Sequence, residues 1–290
     1  IPVTESTLTL KMGRPYSCGL AKFHKSLFYC VFHNLLNLIN DFSFCPKCNE
    51  KLKFNFLRYH HIGNAYCPNC DFKSYDAKYH LTNIDYENQS ITVSIDGKED
   101  TYPMVNRALY NIYNELAAIS LMNEFNVDTE KVKDYLRKIS VTQTRYKEGK
   151  VGNTSIIRTM AKGQNSVSCS RTHDFVGHEE GEKSVFIMID DLFERKDSSE
   201  FIGWIYDADF EFLRKDNIKQ IIIGGERHLD YNLRCLLAGI DKERISHCLL
   251  AEDTVKYLNY EGIDRIYIFH DIYAVELSHK LYEQIIERID

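Results

Sequence analysis

Several things are scarce or missing in this 290-residue chain, and each absence narrows its chemistry. No run approaches eighteen apolar residues and no cleavable-signal pattern occurs, so no membrane span is expected. Basic residues are not in excess: 36 Lys+Arg stand against 42 Asp+Glu, a net charge of -6 that gives no help to nucleic-acid or anionic-membrane binding. No Gly-x-x-x-x-Gly-Lys-Ser/Thr phosphate loop is present. None of the 11 histidines has a spacing that demands a metal, and no internal repeat or low-complexity segment is found. The chain begins with Ile1 rather than Met, which leads us to expect a fragment or a processed product.

What is present is an ordinary globular composition, 44% hydrophobic and 27% charged, at a length sufficient for one large or two ordinary domains. Nine cysteines are distributed unevenly. Four form Cys45-Pro-Lys-Cys48 and Cys67-Pro-Asn-Cys70, separated by eighteen residues. Two Cys-x-x-Cys knuckles at this separation are the pattern of a structural zinc ribbon, with four thiolates around one metal. The alternative is two redox dithiols, which the prolines inside the knuckles and the lack of a following helix disfavour. Cys18, Cys30, Cys169, Cys235 and Cys248 show no framework spacing, so a reducing, cytoplasmic compartment is expected.

Residues 1–43 have no clear period apart from an amphipathic stretch, Phe28 to Ile39. Ser90–Ile95 alternates as a half-buried strand does, with a turn at Asp96-Gly97. Val105, Ala108, Leu109, Ile112, Tyr113 and Leu116 mark a helix, and Asn111 and Asn114 lie beside its apolar stripe. Asp128 or Thr129 caps a second helix bearing Val132, Tyr135, Leu136 and Ile139. Ser140 to Asn153 reads as a linker. Beyond it, apolar strands at Ser184–Ile189, Ile218–Ile223 and Arg265–Phe269 alternate with helices at Leu229–Ala238 and Val275–Ile289, the pattern of a mostly parallel sheet covered on both faces.

In such sheets ligands sit beyond the carboxyl ends of the strands. Those ends carry Asp190-Asp191, Gly224-Gly225-Glu226-Arg227 and His270-Asp271, which read equally as strand terminators and helix caps. Trp204-Ile-Tyr-Asp207-Ala-Asp209-Phe-Glu211 reads as a surface helix packed by Trp204 and Phe210, with Asp207 and Glu211 on one face able to position a cation or a partner. Arg145 is a candidate phosphate ligand or a solvated linker residue, and Lys162 in Met160-Ala-Lys-Gly-Gln-Asn165 is open in the same way.

Taken together these stretches resemble the MurT-type subunits of the Mur ligase family over about residues 44–290. The cysteine ribbon stands where that family inserts one in its central ATPase domain, and Tyr110-Asn-Ile-Tyr-Asn-Glu-Leu-Ala-Ala118 reproduces its Tyr-Asn-x-Tyr-Asn-x-x-Ala-Ala helix. Ile189-Asp-Asp191, the Trp204–Glu211 segment, Gly225-Glu-Arg227, Asp230-Tyr-Asn-Leu-Arg234 and Ala238-Gly239 are similar to further family segments. The resemblance implies an α/β fold: a partial Mur ligase central domain with the inserted zinc ribbon, then a Rossmann-like C-terminal domain. The expected divisions are 1–43 unassigned, 44–82 ribbon, 83–148 remainder of the central domain and 149–290 C-terminal domain.

The resemblance further implies an ATP-dependent ligase subunit that works with a GatD-like class I glutaminase. Together they would amidate the D-glutamate α-carboxylate of lipid II in peptidoglycan synthesis, as a heterodimer using ATP and Mg²⁺ with structural zinc. Asn111, Asn114 and Arg145 are the implied ATP-binding residues, although the family's Gly before the Arg is replaced by Thr144. The family's acidic Asp-Gly-x-Asp run becomes Asp197-Ser-Ser-Glu200, leaving Asp197 and Glu200 as the catalytic candidates. Without a phosphate loop the chain alone is not expected to hydrolyse ATP, and a non-catalytic zinc-ribbon and α/β interaction module is the competing reading. Nucleic-acid binding through Lys47, Lys51, Lys53, Arg58 and Lys73 would require a basic face that the net charge argues against.

Overall fold

A computed structural model describes residues 18–19, 42–58, 62–75, 77–139, 145–189 and 202–290. The Phe28–Ile39 stretch, Asp190-Asp191, Asp197 and Glu200 lie outside the described residues. The chain divides into two compact units, Ile1–Val141 and Thr142–Asp290.

In the first unit, β2 (Lys53–Arg58) and β3 (Ile62–Tyr66) pair antiparallel and carry the cysteine knuckles at their outer ends. A separate four-stranded sheet has the order β1-β4-β5-β6, in which β1 is Cys18–Gly19, β4 Tyr79–Asp85, β5 Ser90–Ile95 and β6 Lys98–Pro103. The last three form an antiparallel meander. The β5–β6 turn is Asp96-Gly97 with φ of 48° and 83°, two left-handed residues whose twist matches that of the flanking strands. Helices α1 (Leu109–Glu124) and α2 (Thr129–Lys138) cover this sheet. Tyr79, Leu81, Ile91, Val93 and Tyr102 from the strands bury against Ile112, Leu116, Ile119, Val132 and Leu136.

Two details differ from the sequence pattern. The first helix starts at Leu109, because Val105 to Ala108 are held in a turn by side chains: Glu115 accepts from the Val105 N–H and Asn106 from the Ala108 N–H. On α2, capped by Asp128 through the Lys131 N–H, only Val132 and Leu136 bury, while Tyr135 and Ile139 are exposed.

The second unit is a six-stranded sheet of order β11-β10-β9-β12-β8-β7. These strands are β7 Tyr146–Val151, β8 Thr154–Met160, β9 Lys183–Met188, β10 Ile218–Gly224, β11 Ile245–Cys248 and β12 Arg265–His270. All pairings are parallel except the β7–β8 hairpin. The expected linker Ser140–Asn153 is thus corrected: its second half is edge strand β7, which also crosses the expected 148/149 division. Its Lys147, Glu148 and Lys150 are the charged residues that edge strands use to discourage further pairing.

Alternate residues of β9 face opposite layers. Val185 and Ile187 enter a core with Trp204, Phe210 and Tyr231, beneath α3 (Ser166–His178), α4 (Gly203–Asp207) and α5 (His228–Leu237). Phe186 and Met188 join Ile222, Ile268, Leu281 and Ile285 under α6 (Val275–Ile289). A strand buried on both faces needs a continuous apolar run, which Val185 to Ile189 supplies.

The Trp204–Glu211 segment is also corrected. It is not one surface helix: α4 ends at Asp207, and a tight 3-10 turn spans Phe210–Arg214. Trp204, Asp209, Phe210 and Glu211 are buried, and Glu211 is taken by Arg234 instead of sharing a helical face with Asp207.

Candidate functional site

Cys45, Cys48, Cys67 and Cys70 bring their sulfurs within 4.8 Å of one another. Each knuckle is a tight turn: the Cys45 N–H donates to the Glu50 carbonyl at 2.7 Å and the Cys67 N–H to the Phe72 carbonyl at 2.8 Å. The Lys47 and Asn69 amides point at the sulfurs of Cys45 and Cys67, each at 3.4 Å. The short sulfur contacts run across the knuckles, Cys45–Cys70 at 3.6 Å, Cys48–Cys67 at 3.5 Å and Cys48–Cys70 at 3.7 Å. Four thiolates around a metal at about 2.3 Å require sulfurs about 3.8 Å apart, so the four Sγ atoms fit a tetrahedral ion with small adjustment. This cross-knuckle pairing is not the arrangement of two independent dithiols. Backbone donation from Glu50 lowers the Cys48 thiol to about 7. At Cys70 the Phe72 amide also lowers it, but removal from water and the neighbouring thiols outweigh that and push it up to about 12.

On α1, Asn111 is half-buried and its amide donates to Asn106 Oδ1 at 2.9 Å, while Asn114 is exposed. Beside them lies a group that sequence reading passed over. Glu115 is 4% exposed; one carboxylate oxygen accepts from the Val105 N–H at 3.1 Å and the other, Oε1, has no partner. Burial raises its carboxyl to about 7. Only its helical spacing from Ile112 and Ile119 could have indicated an inward position.

In the second unit the parallel strands bring their carboxyl ends to one edge. A cleft of about 270 Å³ opens there between the ends of β8 and β12, lined by Lys162, Gly163, Gln164, Asn165, Asp271, Ile272 and Tyr273. Asn165 caps α3 by accepting from the Ser168 N–H at 2.8 Å, so the helix start faces the cleft region. Asp271 is buried, and its Oδ1 accepts the Tyr273 and Ala274 N–H groups, each at 2.8 Å, ahead of α6. A Cβ at Gly163 would stand 3.3 Å from Asp271 Oδ2 and from Ile189, so a bare backbone is what leaves this approach open. The exposed Lys162 supplies a cation and Asp271 a fixed carboxylate. His270 behind them is buried, with Nδ1 at 2.8 Å from the Asp271 carbonyl and Nε2 unpartnered, and burial lowers it to about 4, so it is neutral.

The other strand-end candidates are engaged elsewhere. Gly224 packs against Ala251 and Thr254, Gly225 takes φ of +111°, and Arg227 lies 3.8 Å from Asp230. His228 and His247 meet Nδ1 to Nδ1 at 2.9 Å, one ring donating to the other. Arg145 is exposed just before β7, with its carbonyl accepting the Met160 N–H.

The fold of the chain is similar to that of several solved ligases. The chain superposes on a pseudomurein peptide ligase type C from Methanothermus fervidus with a TM-score of 0.57 at 18% identity, covering 85% of this chain and 49% of that one. MurF ligase from Thermotoga maritima, solved in complex with ADP, gives 0.51 at 12% identity, covering 74% and 48%. Residues 163–274 match the family described as MurT ligase C-terminal. The MurT subunit of the glutamine-hydrolysing lipid II isoglutaminyl synthase of Staphylococcus aureus (strain COL) is 29% identical over 226 residues, 77% of this chain and 49% of that protein. The resemblance to the MurT type read over about residues 44–290 is thus borne out, with the family match falling on residues 163–274. The chain spans about half the length of the curated relatives it matches.

Proposed function

We propose that this chain is part of the ligase subunit of an ATP-dependent amidating enzyme. With a GatD-like class I glutaminase it would convert the D-glutamate α-carboxylate of lipid II to the amide, in the cytoplasm. The observation that carries the reading is the match of residues 163–274 to the MurT C-terminal family, a segment that begins directly after Lys162 and supplies the rest of the cleft lining, Gly163 to Tyr273.

The chemistry asks for two steps. ATP phosphorylates the carboxylate to an acyl phosphate, and ammonia released from glutamine attacks the acyl carbon and expels phosphate. Mg²⁺ would offset phosphate charge during the transfer. Lys162, exposed at the cleft mouth, would do the same for the anionic acyl phosphate, and the fixed Asp271 carboxylate would receive the ammonium end of a nucleophile before it loses its proton. Asn111 and Asn114 would contact the adenine and Arg145 the phosphates. The Asn111–Asn106 hydrogen bond would fix the orientation of the first of these amides. Asp197 and Glu200 remain the proposed acidic contribution near the glutaminase. The four cysteines would hold one structural zinc, and the 44–82 ribbon, 83–148 and 149–290 divisions are proposed as functional segments.

The test is glutamine-dependent amidation of a lipid II analogue by the full reading frame containing this chain, purified with its glutaminase. Lys162→Ala is expected to lower the rate at least tenfold with nucleotide affinity changed less. Absence of ATP–Mg²⁺ binding by calorimetry in that full-length protein would reject the enzyme reading. The clustered Cys45, Cys48, Cys67 and Cys70 support a second reading, a non-catalytic zinc-ribbon and α/β interaction module, which predicts partner binding without any amidation.

A further inference from the structure

Helix α5 buries one face and leaves an equally apolar face bare. Tyr231, Arg234 and Cys235 point into the sheet, as expected of a covering helix. On the other side Leu229, Leu233, Leu236 and Leu237 are between 39% and 64% exposed. Their spacing, i, i+4, i+7 and i+8, is a second helical stripe, and a surface helix ordinarily places charge there. The patch does not stop at the helix. The His228–His247 contact joins the first residue of α5 to β11, and two residues beyond His247 the chain exposes Leu249 and Leu250, at 56% and 59%. Strand β11 is the outer strand of the sheet. Six leucines therefore lie along one margin of the second unit, within the segment matched by the MurT C-terminal family. Contiguous apolar surface of this kind marks an interaction site.

The occupant follows from a gap in the chain's chemistry, and this step rests on the proposed function. The relatives are named as subunits of a glutamine-hydrolysing enzyme, and hydrolysis of glutamine through a thiol needs an accessible, low-pKa cysteine. Seven cysteines have described side chains, and none of them is free for that role. Cys169 and Cys235 are fully buried and burial raises both thiols, Cys235 to about 12. Cys248 is raised by burial as well, and the other four form the cluster. The relatives' standing as one subunit of that enzyme points to a second chain that brings the nucleophile. We infer that the leucine margin of α5 and Leu249-Leu250 is the docking surface for that glutamine-hydrolysing subunit, which meets it with an apolar face.

The experiment measures the dissociation constant between the full-length protein and the purified class I glutaminase by calorimetry and sedimentation. It compares the native sequence, Leu233→Glu/Leu237→Glu, and the control Tyr135→Glu on α2. Both altered leucines are exposed, so the fold persists, and an unchanged circular dichroism spectrum verifies it. The double variant is expected to bind at least ~100-fold more weakly, as for loss of two central contacts, with the control unchanged. Equal affinity of variant and native protein overturns the docking surface while leaving the proposed function standing. Failure of the native protein to bind the glutaminase overturns both. Self-association of the native chain that the leucine variant abolishes assigns the face to a second copy and likewise overturns the proposal.

Discussion

Arg234 Nη1 donates to Glu211 Oε1 at 2.9 Å and Nη2 to Oε2 at 2.8 Å, a two-pronged ion pair with both side chains under 10% exposed. Nη2 also donates to the Ala208 carbonyl at 2.7 Å, so one guanidinium ties α5 to the turn after α4. Removing either partner strands a charge in a poorly solvated place. Glu211→Ala or Arg234→Ala is therefore expected to cost about 3–5 kcal/mol, and Glu211→Leu/Arg234→Met to recover much of it. Urea denaturation followed by Trp204 emission measures this; a double variant no better than the singles would contradict it.

The cysteine cluster predicts one zinc per chain by elemental analysis of protein purified without chelator. Cys48→Ser, or stripping with a strong chelator, is expected to lower the thermal midpoint of the first unit by ~10 °C or more, because binding energy in such sites is folding energy. Trp204 sits in the second unit, so circular dichroism should shift while its emission does not. Metal-free protein with an unaltered midpoint would refute the structural role.

Glu115 makes stability depend on pH in a stated direction. Its carboxyl titrates at about 7 in the folded protein against 4.5 ordinarily, so the folded state holds the proton more tightly. That contribution is complete below 4.5 and disappears as pH rises through 7. By pH 8.5 the charged carboxylate costs about 3 kcal/mol relative to acid conditions. Glu115→Gln, which keeps an acceptor for the Val105 N–H, should lose less stability between pH 6 and 8.5. Parallel pH profiles for the two proteins would show the carboxylate to be solvated.

Gly224 ends β10 where a Cβ would meet Thr254 Cγ2 at 2.6 Å and the Ala251 backbone at 2.9 Å. Gly224→Ala should push the 251–257 turn away at about 1–3 kcal/mol. Gly152→Ala, in the β7–β8 turn with open space around it, should cost only the strain of φ +56°, about 1–2 kcal/mol. Comparing their denaturation midpoints separates crowding from backbone strain.

How far these features were legible depends on whether their cause is local. Ser90–Ile95 and Val275–Ile289 follow from alternation and helical period, and the two knuckles from cysteine spacing. Tyr146–Val151 was not legible, since a charged edge strand carries no apolar run and is defined by β8 beside it. Trp204–Glu211 had a helical spacing that Arg234, over twenty residues away, overrides by drawing Glu211 inward. Lys162 was visible as a residue, but its cleft needs the end of β12, more than a hundred positions later, to close its other wall.

Strand β12, residues 265–270, lies between β8 and β9 and pairs with both along its whole length. During synthesis the first five strands of this sheet emerge as two groups, β7–β8 and β9–β10–β11, with no strand between them until residues 265–270 are made. The sheet's two halves must wait unpaired at the edges that β12 will fill. Any chain stopped before Arg265 loses the middle of the sheet, not its margin.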